Sequence, residues 1–148
     1  MSGYFSDDLT AAEIDALHAV IGPLTNDVRA LIDATVRTEV DDAAIAAARE
    51  HIAAATALLA DKQLDGSFGV RFGRDGTKRA WGNAVMGAQN PIAAPVDMVF
   101  PDPDAQDQIC WAEFDLGAAY EGPAGLVHGG MLAAIHLPIC SPLMEPRW

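Results

Sequence analysis

Apolar positions in the first 62 residues or so recur at helical spacing. Ile14, Leu17, Val20 and Ile21 share one helix face, and Thr10 with Glu13 three positions on is a capping-box pattern ahead of it. Gly22-Pro23 predicts a break, because proline has no N–H and its ring meets the preceding turn. Leu24, Val28, Leu31, Ile32 and Val36 mark a second helical stretch. Asp41 or Asp42 is placed to cap a third, which runs through Ile45, Arg49, Ile52 and Leu59. These read as a scaffold of amphipathic helices. His18 and His51 lie within them without a second ligand three or four positions away, so they read as surface or packing residues.

The period changes after residue 65. Residues 66–95 are glycine-rich and irregular. Val96, Met98 and Phe100 alternate, Pro101-Asp102-Pro103-Asp104 is turn chemistry, and Ile109, Trp111, Phe114 and Leu116 follow among β-formers. The pattern predicts an antiparallel hairpin whose apolar face needs a cover. Residues 117–130, GAAYEGPAGLVHGG, hold too much glycine for a regular element. MLAAI at 131–135 then predicts a buried helix, which Pro138 should stop or kink at about Leu137. The fold class expected is α+β. A helical N-terminal extension (1–65) precedes a unit (66–148) of antiparallel strands and the start of a helix.

Charge narrows the partners. With 9 Lys+Arg against 21 Asp+Glu the formal net charge is −12, which argues against nucleic acid and anionic membranes. A hydrophobic content of 51% argues for a packed core. Cys110 and Cys140 are too few for a disulfide scaffold or a four-cysteine zinc site, and no metal site is suggested. No apolar run reaches about 18 residues, so no transmembrane helix is expected. The acidic start, MSGYFSDDLTAAE, is unlike a signal peptide. A cytoplasmic chain is expected. Five of the nine basic residues nevertheless fall between Lys62 and Arg79, with Arg71, Arg74 and Lys78 among them. That patch is either a solvated loop or a landing site for an anionic ligand. Neither GxGxxG nor GxxxxGK[ST] occurs there.

The feature that carries chemistry is Val127-His128-Gly129-Gly130 directly before an apolar helix. Unpaired N–H groups and the positive dipole end of a helix start, approached closely over glycine, can stabilise a developing oxyanion. The plainer reading is a glycine-rich turn with a capping histidine.

Two blocks, GNAVMGAQNPIAAPVDM (82–98) and WAEFDLGAAYEGPAGLVHGGMLAAI (111–135), resemble the hotdog-fold thioesterases of the PaaI-like group, in particular long members with a helical N-terminal extension. The resemblance implies a hotdog domain, an antiparallel sheet wrapped around one central helix, here partial. It implies a homo-oligomer with sites between subunits, if the fold completes. The implied substrate is an acyl-coenzyme A or related thioester, with no separate cofactor, because coenzyme A is part of the substrate. Gly130, with Gly129 beside it, would present the backbone N–H that polarises the thioester carbonyl. His128 would orient the loop or bond near the carbonyl. Tyr120, Glu121, Gly125 and Val127 of the approach loop, with Asn83 and Asn90, are the candidate substrate contacts. Glu121 is otherwise a solvated carboxylate and the two asparagines turn formers, while Trp81, Trp111 and Tyr120 read either as core aromatics or as the lining of an acyl pocket.

The chain departs from the family pattern twice. The helical acid that activates water lies nine residues after the histidine, and that position is Leu137, which cannot take a proton or attack a thioester. His136, rotated by about 100° on a helix, does not replace it. After Ile135 the likeness stops, and HLPICSPLMEPRW reads as a truncated or out-of-frame tail, so that strand edges would be left unpaired and the chain weakly stable. The function expected is that of an acyl-CoA thioesterase-like chain, weakly active or inactive. The alternative is a non-catalytic binding module that pairs with a complete hotdog subunit. A third reading makes the helices of 1–62 an interaction protein with the rest accessory.

Overall fold

The computed structural model of the chain describes residues 5–6, 8–67, 69–76, 78–97, 99 and 111–139. They form a mixed, mostly helical structure. Its elements are β1 (Phe5–Ser6), α1 (Ala11–Arg37), α2 (Asp42–Ala60), β2 (Arg71–Phe72), β3 (Lys78–Arg79), a 3-10 turn (Ala118–Tyr120) and α3 (Gly129–Ile139).

The capping box forms as its spacing predicts. The Thr10 hydroxyl accepts from the Glu13 N–H at 3.4 Å, and the Glu13 carboxylate accepts from the Thr10 N–H at 2.9 Å. The expected break at Gly22-Pro23 is corrected: α1 runs through Pro23. Pro23 removes the donor to the Ala19 carbonyl, but Ala19 is exposed, where water can take that donor's place. Ile14 and Thr25 are buried on either side of the proline, with Ile21, Val28 and Ile32 half-buried, so both halves are held by packing and the helix continues through it.

Asp41 caps α2 by accepting from the Ala44 N–H at 2.9 Å. No residue of α2 is buried. An 18-residue window of α2 has mean hydropathy 1.3, so by length and composition this helix is apolar enough to cross a membrane. Its alanines together with Ile45, Ile52, Leu58 and Leu59 supply that hydropathy, and Arg49 and Glu50 interrupt the helix near its middle, where a bilayer penalises charge.

Residues 66–95 contain a hairpin that their composition does not announce. β2 pairs antiparallel with β3 (Arg71 opposite Arg79, Phe72 opposite Lys78) and parallel with β1 (Phe5 opposite Arg71). Gly76 sits at φ +82° in the connecting turn, a conformation that favours glycine. The guanidinium groups of Arg71 and Arg79 lie 5.5 and 4.7 Å from the centre of the buried Trp81 ring. Part of the basic patch is therefore packed on an aromatic face.

The core nearest the candidate site joins Ala94, Tyr120 and Ile135, with Val96, Phe114, Leu116 and Met131 packed against them. Ala112, Phe114 and Leu116 are half-buried while Trp111, Glu113 and Asp115 are exposed, which is the period of two expected of a strand. Among the described residues, however, the expected 96–116 hairpin is one antiparallel bridge, Val99 to Trp111, with N–O distances of 2.8 and 3.1 Å. Met98, Phe100, the 101–104 turn, Ile109, Cys110 and Cys140 lie outside the described residues. Of the stop or kink expected at about Leu137, the stop is corrected, since the helix continues to Ile139. Pro138 falls in the last turn, where it removes a single donor and the carbonyls that follow have no helical partner in any case.

The sequence-based boundary at 65/66 is bridged twice. β1 joins the sheet of β2 and β3, and α1 packs against the 3-10 turn beside the site.

Candidate functional site

The loop between the 3-10 turn and α3 is a closed hairpin. The Tyr120 carbonyl accepts from the His128 N–H at 2.9 Å, Glu121 bridges Val127, and the Gly122 N–H donates to the Leu126 carbonyl at 2.8 Å. Its tip is the turn Pro123-Ala124-Gly125-Leu126, closed by the Leu126 N–H on the Pro123 carbonyl at 2.8 Å. Gly125 occupies the third position at φ +76°, where a type II turn requires a left-handed residue. Glu121 accepts from the Gly125 N–H at 2.7 Å. A Cβ at Gly122 would stand 2.8 Å from the His128 Cα, so glycine lets the two backbones cross.

A cavity of about 470 Å³ opens between this hairpin and the C-terminal half of α1. Leu116, Leu126 and Val127 line it together with Tyr120, Glu121 and Gly125. Four of the sequence-predicted contacts (Tyr120, Glu121, Gly125 and Val127) are thus brought to one place. Tyr120 is 8% exposed and donates its hydroxyl to the Ala93 carbonyl at 3.0 Å. Burial pushes its phenol pKa up, so it stays a neutral donor.

His128, Gly129 and Gly130 follow at the exposed start of α3. The Met131 and Leu132 N–H groups donate to the His128 carbonyl at 2.9 and 3.1 Å, so His128 is the N-cap. Its Nδ1 accepts from the Gly130 N–H at 3.1 Å. The amide expected to polarise a carbonyl therefore already has an acceptor, and the imidazole must carry its proton on Nε2 to provide one. Among the described residues the Gly129 N–H has no protein acceptor and remains the open donor at the helix start.

Asn83 and Asn90 do not line the cavity. The Asn83 side-chain carbonyl accepts from the Val85 and Met86 N–H groups at 2.8 and 3.2 Å. The Asn90 amide donates to the Gly82 carbonyl at 3.1 Å and accepts from the Ile92 N–H at 3.2 Å. Both shape the 81–92 turns, as their residue type favours.

Sequence reasoning missed Asp33 and Arg37. Asp33 accepts from the Ala118 N–H at 3.1 Å and from Arg37, whose Nε lies at 2.9 Å. Arg37, then the Ala118 N–H, hold the Asp33 carboxyl below the usual carboxylate range. The available signal was the i, i+4 spacing of opposite charges on a helix, which reads as surface decoration until its neighbour is known. Among the described residues no group of three His, Cys, Asp or Glu could hold a metal ion.

No protein-family model, curated protein or solved structure matches this chain.

Proposed function

We propose that the chain is a thioesterase-like protein of the hotdog type that binds acyl-coenzyme A or a related thioester at the cavity before α3, with turnover weak or absent. The observation that carries the reading is a cavity of about 470 Å³ whose lining combines Leu116, Leu126 and Val127 with Asp33, Arg37 and Glu121, two residues before a helix start whose Gly129 N–H has no acceptor among the described residues. That volume is of the size that takes small ligands. An acyl chain suits Leu116, Leu126 and Val127, and a thioester carbonyl suits an N–H at a positive helix end.

The same geometry supports binding over hydrolysis. Gly130 donates to His128 rather than to a ligand. The two carboxylates that line the cavity, Asp33 and Glu121, each accept a backbone N–H, and a depressed pKa makes Asp33 a poor proton acceptor. Position 137, where the family that the sequence resembles has its acid, is leucine. This also favours the alternative of a non-catalytic module that pairs with a complete hotdog subunit.

The test is hydrolysis of an acyl-CoA panel followed with a thiol-trapping dye, run beside Leu137→Asp and beside equilibrium binding of the same thioesters. Saturable binding with turnover near the buffer rate, raised by Leu137→Asp, supports the reading. Efficient turnover by the natural chain contradicts the account of position 137. Absence of binding to every thioester overturns the reading as a whole.

A further inference from the structure

We propose that Asp33 is the positioning residue of the cavity: its carboxylate, oriented by Arg37, latches the Ala118 N–H and so makes α1 a wall of the site rather than an appendage to it. The proposal places the ligand within the thioester-binding reading above, but the latch itself is observable without any ligand.

Three observations converge on it. Asp33 reaches across 85 positions of sequence to the Ala118 amide at 3.1 Å. Asp33 and Arg37 both line the cavity, facing the hairpin side of Glu121, Gly125 and Val127. Gly117 leaves room for the latch, because a Cβ there would stand 3.1 Å from Asp33 Oδ1. The amide that Asp33 holds is the first of the 3-10 turn, and that turn delivers Tyr120 to the core and Glu121 to the hairpin. Position therefore passes along one short chain of bonds, from α1 through Ala118 to the cavity rim. A second tie on α1 steadies the same face, since the Arg29 guanidinium donates to the Asn90 carbonyl at 3.4 Å. The charged and titratable groups around the latch are Arg37 and Arg29 on α1 and Tyr120 and Glu121 on the opposite side.

The sign of the pH dependence follows from the charge. The folded-state carboxyl titrates lower than it does in an unfolded chain, so the latch is complete above the ordinary carboxylate range, about pH 4, and is lost as pH falls through the depressed value.

The experiment is amide NMR and hydrogen exchange on the full chain, comparing the natural sequence with Asp33→Asn, Asp33→Ala, Gly117→Ala and the double variant Asp33→Ala/Gly117→Ala. In the natural chain the Ala118 amide shift should titrate below the usual carboxylate range, and in Asp33→Asn it should be flat. Asp33→Ala should speed exchange at Ala118, Glu121 and His128 by about threefold or more, the size left to an exposed charge-assisted hydrogen bond after screening by solvent. Asparagine keeps an acceptor and should restore much of that protection. Gly117→Ala should loosen the same amides in the presence of Asp33 and add nothing in its absence. Octanoyl-CoA binding should weaken in step with exchange. An Ala118 amide indifferent to Asp33 overturns the proposal, as do additive effects of the two substitutions. An intact latch in a chain that binds no thioester removes the proposed ligand and leaves the positioning role standing.

Discussion

α2 and α3 are both apolar helices, and they are held in opposite ways. α2 runs 19 residues with no residue buried, carried by alanine propensity and the Asp41 cap. α3 runs 11 residues, opens on two glycines and ends beyond a proline, all poor helix formers, yet Ile135 is 6% exposed and sits in the core with Tyr120 and Ala94. One helix exists through local preference and the other through packing. A mutation should therefore reveal its effect in different observables on the two sides.

The sharpest way to break this contrast is a pair of truncations. Ile135→Ala should cost about 2–4 kcal/mol of global stability, because it opens a cavity beside Tyr120. Ile52→Ala, at a position 41% exposed, should stay within about 0.5 kcal/mol. Chemical denaturation of both reads the difference, and equal losses would mean that α2 is packed in solution. Tyr120→Phe comes next. It deletes the hydroxyl that satisfies the Ala93 carbonyl and should cost about 1 kcal/mol in the same melt.

Asp41→Ala acts on the other side of the comparison. Losing the cap should cost about 1 kcal/mol of helix stability, seen as reduced helical ellipticity with the midpoint of core unfolding unchanged. The smallest expected effect is at Glu13, whose pKa is lowered mainly by the Thr10 N–H and then by its hydroxyl. Because the folded pKa is the lower one, the capping box contributes above about pH 4 and fades as pH falls through the depressed value. A Glu13→Gln chain should lack this slope in a pH series of melts.

What was legible in the sequence divides along the same line. The Thr10–Glu13 box and the Asp41 cap were readable, because the residues that form them are neighbours. The helix at MLAAI was readable too, but its start was not: α3 begins at Gly129, inside the glycine-rich stretch expected to hold no regular element, which also contains the 3-10 turn Ala118–Tyr120. The continuity of α1 through Pro23 was not readable, because packing of Ile14 and Thr25 decides it and no local pattern records that. The β2–β3 hairpin lay hidden in a glycine-rich, basic segment whose strands are two residues each. At the site, Tyr120, Glu121, Gly125 and Val127 were picked from one contiguous loop and do share a cavity. Asp33 and Arg37 were missed because their partner, Ala118, is far along the chain. Gly130 was assigned a free donor, and the His128 side chain two positions away accepts from it instead.

The most direct test of the account is a titration of octanoyl-CoA into isotopically labelled protein, followed through backbone amide shifts. Binding at the cavity should give saturable changes at Glu121, Leu126, Val127 and Gly129, the residues of the hairpin and the helix start. Changes confined to the Arg71 and Arg79 patch, or none at any amide, would contradict it.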